Sequence, residues 1–352
     1  MKITDYINFV ILNMTICMKK IMSFNYKNAI SLLIAIIVFN SLTFAAKSDE
    51  SFNDWLSSYK KSALKKGISQ ETIDIAFKNV RFLDQVIKYD RKQPEFYEDT
   101  ITYVNKRANK NRAKIAKKLL KKNEFLFTEV ENKFSVEKEI LLALWGIETN
   151  FGKYVGKMDI LSSLATLSYD KRRRDFFSSQ LLILLKLIDK GLVDYNTLYG
   201  SWAGAFGNFQ FMPSTIENYA IDYDKNNKIE LKKSLNDSVA SAANYINKIG
   251  WKKNQPCFVQ VNLTNEIKKD HINLSARNIS KRLKIKKWKK MGVTFIQKDN
   301  IEINSKAALI QPDGKVNTPA YLVFSNYEKI LKWNRSLRFG ISVCTLAEMI
   351  KS

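Results

Sequence analysis

Glu148 closes the run Ile140–Ile147 (ILLALWGI), the most apolar stretch after residue 46. A helix that apolar is expected to be buried, and Gly152 marks its end. A carboxylate there sits between core and cleft, where desolvation disfavours the charged form and raises the pKa. A carboxylic acid kept protonated near neutral pH is what general-acid catalysis requires. The plainer reading is a glutamate that caps a neighbouring helix or pairs with an arginine. The residues alone leave both open.

A second group is Tyr199–Ser214 (YGSWAGAFGNFQFMPS), in which aromatics interleave with amides, hydroxyls and small residues. Gly204 and Gly207 would let backbone approach a ligand closely. Sugars suit such a mixture, since their CH faces stack on rings while their hydroxyls need hydrogen-bond partners. An ordinary glycine-rich loop with core aromatics is the alternative. The third group is Asp222, Asp224, Asn226, Lys228 and Glu230. Its oxygen side chains at positions 1, 3, 5 and 9 follow a calcium loop of the EF-hand kind, with Lys228 able to offer its backbone carbonyl. The match is partial. Asn227 stands where glycine is usual, although asparagine tolerates positive φ. Lys233 stands where a bidentate glutamate is expected, so Asp237 would have to serve as a late ligand in a longer loop. A solvated turn is the competing reading.

Other chemistries are disfavoured by composition. The chain has one histidine, His271, and three cysteines, which excludes histidine-rich metal sites and zinc ribbons. His271 lies in a lysine-rich polar stretch and reads as a surface residue. There is no GxGxxG or GxxxxGK[ST] loop to cradle a nucleotide. Carboxylates, hydroxyls and amides must therefore do the work. Trp145, Trp202 and Trp251 read equally as core or as sugar platforms.

The elements that must hold these residues are mainly helical. Phe52, Trp55, Leu56 and Tyr59 mark one apolar helix face, Gly67 is a stop, and Ser69 caps the next helix. Pro94 sits in a connector, Asn105–Lys122 reads as one basic helix, and Ser135 reads as the cap of the Glu148 helix. Leu161–Leu167, Phe176–Ile188, Ser214–Ala220, Ser238–Ile249 and Leu337–Ile350 are further helical patterns, with Gly250 a stop. Between them the period changes. Cys257–Leu263 alternates, Val293–Ile296, Leu309-Ile310 and Tyr321–Phe324 are short β-like runs, and Asp313-Gly314 is a turn signal. The expected organisation is an N-terminal segment 1–46, a helical domain 47–133, a helical core 134–251, a small β-rich domain 252–325 and a C-terminal helical segment 326–352 packing back on the core.

The 352 residues carry 58 Lys and Arg against 34 Asp and Glu, a net charge of +24. The lysines are dispersed, which favours a compositional bias over a nucleic-acid stripe. Residues 1–46 read as an export signal, with Lys19, Lys20 and Lys27 basic, Ile30–Phe39 apolar, and small residues after Thr43. An uncleaved N-terminal anchor, with membrane association, is the alternative. Met18 looks like a natural start. Removing residues 1–46 takes away four lysines and one aspartate and leaves +21. Export permits disulfides, yet two buried unpaired cysteines, Cys257 and Cys344, are the expectation here.

Six ordered segments carry a family resemblance: DRKQPEF (90–96), WGIETNFG (145–152), LATLSYDKRRRDFF (164–177), GSWAGAFGNFQFMPST (200–215), ASAANYINKIGW (240–251) and LIQPDGKVNTPAYLVFSNYEKILKWNRS (309–336). Together they resemble the lytic murein transglycosylase B family over nearly all of residues 52–350. The resemblance implies a mainly α (α+β) fold, with a lysozyme-like helical core, a flanking helical domain and a small β-rich insert. It implies non-hydrolytic cleavage of the β-1,4 bond between N-acetylmuramic acid and N-acetylglucosamine in peptidoglycan, leaving a 1,6-anhydro end. Glu148 then matches the single acid/base and Ser201 the hydroxyl near it. Gln210, Tyr245 and Asn334 match residues lining the glycan cleft, and Arg172 and Arg173 a basic pair at its edge. The Asp222 loop matches a structural calcium loop, and no cofactor is required for the chemistry. Trp333 departs from the pattern, where tyrosine is expected. The implied partners are peptidoglycan strands and cell-wall enzyme complexes, not nucleic acid, in the periplasm. A hydrolytic muramidase or a non-catalytic peptidoglycan-binding protein on the same fold are the alternatives.

Overall fold

The computed structural model describes residues 50–92, 98–264, 267–296 and 301–352. The expected export signal and Pro94 lie outside them. Residues 56–352 form one compact unit. Of residues 1–55, only 50–55 are described, where helix α1 (Phe52–Lys65) begins.

Short helices follow: α2 (Gln70–Phe77), α3 (Asp84–Arg91), α4 (Thr100–Arg107), α5 (Lys110–Lys122) and α6 (Glu124–Phe134). Ser69 caps α2 as expected, its hydroxyl accepting from the Thr72 N–H at 3.1 Å. The single basic helix expected over Asn105–Lys122 is instead two. Ala108 leaves helical dihedrals, and the Asn109 side chain accepts from the Arg112 N–H at 2.9 Å, starting α5 afresh. Ser135 does not cap the Glu148 helix either. It takes a left-handed conformation at φ 54° and ends α6.

Helix α7 (Lys138–Thr149) runs through the centre of the helical core, with Leu141, Leu142, Ala143 and Leu144 wholly buried. Each of its buried leucines contributes about 2 kcal/mol of transfer free energy. The C-terminal helix α14 (Leu337–Lys351) packs along α7, which also meets α5, α6 and α11 (Leu235–Lys248). Helices α8 (Ile160–Tyr169) and α9 (Arg174–Asp189) pair beside them, and α10 (Pro213–Tyr219) bridges α9 and α11. Gly250, at φ 91°, stops α11 as its sequence position requires.

The change of period after Trp251 produces a sheet. Strands β1 (Met158–Asp159) and β2 (Tyr199–Gly200) form a small pair within the helical part. Strands β3 (Phe258–Leu263), β4 (Ile272–Asn273), β5 (Leu283–Lys284), β6 (Val293–Phe295), β7 (Lys306–Ile310) and β8 (Ala320–Val323) form one sheet in the order β4-β7-β8-β3-β6, with β5 also on β7. The β4–β7 pair is parallel and the others are antiparallel. The sheet and helix α12 (Ile285–Lys290) enclose a separate core around Trp288, Leu309 and Leu322. Asp313-Gly314 lies between β7 and β8, in a longer connection than a tight hairpin. The Asp313 carboxylate there accepts from the Thr100 N–H and hydroxyl and from Arg338. Helix α13 (Ser325–Trp333) leads back to α14.

Cys257, just before β3, and Cys344, in α14, are joined in a disulfide with Cα atoms 6.1 Å apart. The expectation of two unpaired thiols is thereby corrected. Eighty-seven residues separate the pair. Only the return of α14 past the sheet brings them within bridging distance.

Candidate active site

The site is built around the end of α7. The chain leaves the helix through consecutive left-handed residues, Asn150 at φ 50° and Phe151 at φ 60°, followed by Gly152 at φ 81°. The turn is closed by Phe151 N–H to Trp145 O at 3.2 Å and by Tyr154 N–H to Thr149 O at 2.9 Å. Glu148 is half-buried in the last helical turn. Its Oε1 accepts a hydrogen bond from Trp333 Nε1 at 2.9 Å.

Trp333 belongs to a wall of rings. It stacks on Tyr245 with centroids 5.1 Å apart and planes 28° apart, and meets Phe211 edge-on at 5.3 Å and Phe209 at 6.2 Å. Tyr245 stacks in turn on Tyr219 at 4.5 Å, and its hydroxyl donates to Lys332 O at 3.1 Å. Burial pushes the Tyr245 phenol up to about 12, so it stays neutral. Tyr245 thus belongs to the wall of rings that reaches Glu148 through Trp333. Asn334 follows immediately as the C-cap of α13. Trp333 itself was legible only as a departure from a resemblance. Its indole meets the carboxylate across 185 residues of sequence, a pairing no local pattern announces.

Ser201 and Gln210 hold the loop that carries Phe209 and Phe211. The Ser201 Oγ accepts from the Ala203 and Ala205 N–H groups at 3.3 and 3.0 Å. The Gln210 Nε2 donates to Val155 O at 3.1 Å and Gly207 O at 3.0 Å. Gly204 and Gly207 were expected to make room for a ligand, but their surroundings give a different reason. Both have positive φ, and an added Cβ would lie 2.4 Å from Leu164 at one and 2.6 Å from the Leu231 carbonyl at the other.

Asn208, which no local pattern distinguished, is the hub between loop, helix and acidic segment. It is 7% exposed. Its Oδ1 accepts from Trp145 Nε1 at 3.1 Å, and its Nδ2 donates to Leu231 O at 3.2 Å and Ser238 Oγ at 3.1 Å. Its carbonyl accepts from Thr149 Oγ1 at 2.8 Å, directly beside Glu148.

Arg172 and Arg173 lie just before α9. Both bind Asp90 at the end of α3, Arg172 through Nη1 to Oδ2 at 3.0 Å and Arg173 to Oδ1. Arg91 joins them at 2.6 Å. The basic pair therefore fastens two helical segments together. His271 is half-buried in the sheet region, with Nδ1 2.8 Å from Asp270 and its ring against Trp288.

In the acidic loop, carboxylate oxygens of Asp222, Asp224 and Asp237 lie within 4.8 Å of one another. Asp237 is wholly buried, and burial raises its pKa. Its oxygens accept from the Tyr223 N–H at 2.8 Å and the Glu230 N–H at 3.0 Å. Asn226 donates to Glu230 at 3.2 Å, and Asn227 adopts the positive φ, 65°, that its position demands. Three converging carboxylates, one of them desolvated, repel one another unless a cation lies between them. The oxygen-only donor set fits a hard divalent ion such as calcium.

The sequence profile of the Transglycosylase SLT domain family matches residues 51–348. The membrane-bound lytic murein transglycosylase B of Escherichia coli (strain K12) is 30% identical over 223 residues, which is 62% of this chain and 58% of that protein. The match thus spans less than two thirds of that relative's length. Among solved structures, SltB3 from Pseudomonas aeruginosa, determined with NAG-NAM-pentapeptide and with NAG-anhNAM-pentapeptide, is 33% identical with a TM-score of 0.79, covering 86% of this chain and 80% of that one. Escherichia coli Slt35, determined with calcium, is 25% identical with a TM-score of 0.71, covering 84% and 92%. The mainly helical, lysozyme-like fold expected from the resemblance is borne out.

Proposed function

The chain belongs to the Transglycosylase SLT domain family, and on that premise we propose that it is a peptidoglycan lytic transglycosylase with Glu148 as its single general acid/base. The observation that carries the reading is the half-buried Glu148 carboxylate at the end of a buried helix, held by Trp333 beside a wall of rings. The SltB3 complexes, with a NAG-NAM peptide and its anhydro form, support the substrate class.

One carboxylate suffices because the nucleophile belongs to the substrate. Glu148 donates its proton to the glycosidic oxygen as the C1–O bond breaks. The muramic acid C6 hydroxyl then attacks C1 and returns its proton to the ionised carboxylate. A tethered hydroxyl has a high effective molarity, whereas ordinary glycosidases need a second carboxylate to activate water or to act as nucleophile. The half-buried Tyr245 and Trp333 rings offer apolar surface for sugar CH groups. Ser201, Gln210 and Asn334 frame the glycan path, with Arg172 and Arg173 at its margin. The Asp222–Asp237 loop binds calcium structurally through Asp222, Asp224, Asn226, Glu230, Asp237 and the Lys228 carbonyl. Residues 1–46 direct export to the periplasm, and the Cys257–Cys344 bridge suits that compartment. The domain division read from sequence is retained.

The test is product analysis on purified peptidoglycan. Wild-type protein yields 1,6-anhydro-muramic ends, and Glu148→Gln lowers turnover by about 10³-fold, the scale of general-acid catalysis, with unchanged thermal unfolding. Products one water heavier would instead make the protein a hydrolase. Wild-type-like turnover by Glu148→Gln would remove the assignment.

A further inference from the structure

We infer that Trp333 is a positioning residue that decides which oxygen of Glu148 carries the transferable proton. The inference rests on the reading of Glu148 as the acid/base. An indole Nε1–H donates and never accepts. It lies 2.9 Å from Oε1, and in a carboxylic acid the carbonyl oxygen accepts more strongly than the hydroxyl oxygen, so the indole favours Oε1 as the carbonyl oxygen. When Glu148 is protonated, the proton therefore resides on Oε2. Once it has been given away, the ionised carboxylate keeps a charge-assisted bond from the indole. Trp333 thereby selects the oxygen that carries the proton and also favours the charged form.

The indole can do this because it is rigid. Tyr245 stacks on one face, while Phe211 and Phe209 meet it edge-on from the Ser201–Met212 loop. Tyr219 backs Tyr245. A ring fixed on these sides offers its N–H in one direction only.

The other ionisable groups on the elements packed around α7 are Asp237, Tyr245 and Lys248 on α11, Arg112 and six lysines on α5, Glu124, Glu129, Glu131 and Lys133 on α6, and Arg338, Glu348 and Lys351 on α14, with Lys332 and Arg335 flanking Trp333. Tyr245 stays neutral, at about 12. Burial, with Arg107 nearby, lowers the Arg112 guanidinium from its ordinary value. Glu131 is paired with Lys253 at 3.0 Å and Arg338 with Asp313 at 2.7 Å. Assays at saturating calcium keep the Asp237 loop occupied across the pH series.

The experiment compares kcat and kcat/KM against pH for wild type, Trp333→Phe and Trp333→Tyr. Activity needs protonated Glu148, so it falls as pH rises through that group's pKa. Removing a donor to the ionised form raises the pKa. The alkaline limb of Trp333→Phe is expected to move up by about one pH unit, with kcat about tenfold lower and KM within twofold. Trp333→Tyr, whose hydroxyl donates, should bring the limb back toward wild type. As a readout needing no variant at Trp333, the Trp333 indole proton resonance should titrate with Glu148 in wild type and cease to titrate in Glu148→Gln. An unmoved alkaline limb in Trp333→Phe, a loss confined to KM, or an indole resonance insensitive to Glu148 overturns the inference. In each case wild-type protein still makes anhydro ends. Absence of those ends in wild type defeats the functional reading instead.

Discussion

Three guanidinium groups, from Arg91, Arg172 and Arg173, converge on the Asp90 carboxylate, which is 2% exposed. The arginines themselves are half-exposed, so the electrostatic stakes fall unequally. Removing one arginine leaves Asp90 two partners. Removing Asp90 leaves three cations facing one another around a desolvated hole. Asp90→Ala is therefore expected to cost about 3–5 kcal/mol, the scale for stranding a buried charge, and Arg172→Ala about 1 kcal/mol or less, as a partly solvated pair contributes little. Urea unfolding of the two variants checks the ratio. Equal losses would show that Asp90 is not the anchor. The sequence reading placed Arg172 and Arg173 beside the glycan, and this packing explains why their partner was hidden. Asp90 lies 82 residues upstream, joined to them only by the approach of α3 to the start of α9. Glu148 was legible for the opposite reason. Its position depends on the apolar run that precedes it, and that information is entirely local.

Helix α7, the Ser201–Met212 loop and the acidic segment share one residue, Asn208. Its side chain satisfies Trp145 on the helix and Leu231 and Ser238 on the acidic side. Asn208→Ala strands the buried Trp145 indole N–H, at a cost of about 1–3 kcal/mol, while Leu231 O keeps the Asn208 backbone N–H and the Ser238 hydroxyl as donors. It should lower both unfolding temperature and turnover, because Thr149, beside Glu148, bonds the same residue's backbone. A variant that loses turnover with unchanged unfolding would move Asn208 from the scaffold to the substrate. The acidic segment meets the same hub through Ser238, next to Asp237. Calcium is accordingly expected to stabilise the fold by about 2.7 kcal/mol at a hundredfold excess over its Kd, read as a rise in unfolding temperature that chelator reverses. Asp237→Asn should abolish that response, and an equal rise in the variant would place the ion elsewhere. The helices themselves were readable from period and caps. The breaks were not: Ala108 and Ser135 leave helical dihedrals where side chains supply competing partners, Asn109 to the Arg112 N–H and Asn247 to the Phe134 carbonyl, a balance of small local energies that periodicity does not register.

At the scale of the whole molecule, α14 is the piece that joins the two cores. It packs along α7, closes on α4 and α5, and carries Cys344 to the edge of the sheet, where Cys257 precedes β3. The sheet has its own apolar interior around Trp288, so without a covalent tie it could open from the helical core as a unit. The bridge spans 87 residues. On the chain-entropy account, closing a loop of that length removes about 4–5 kcal/mol of freedom from the unfolded chain, against a typical measured gain of about 2–4 kcal/mol. The Cys257→Ser/Cys344→Ser double variant is expected to unfold several degrees lower than wild type and to lose its sensitivity to reductant. Turnover at 25 °C should stay within about twofold, because the Trp333 bond to Glu148 comes from α13 and not from the bridge. Hydrogen exchange should locate the loss in β3 and β8, which flank Cys257 through the Phe324 N–H to Cys257 O bond at 2.8 Å, ahead of α7. Intact-mass measurement before and after reduction registers the bridge directly as two hydrogens. An unfolding temperature that reductant leaves unchanged in wild type would mean that packing of α14 alone holds the sheet to the core.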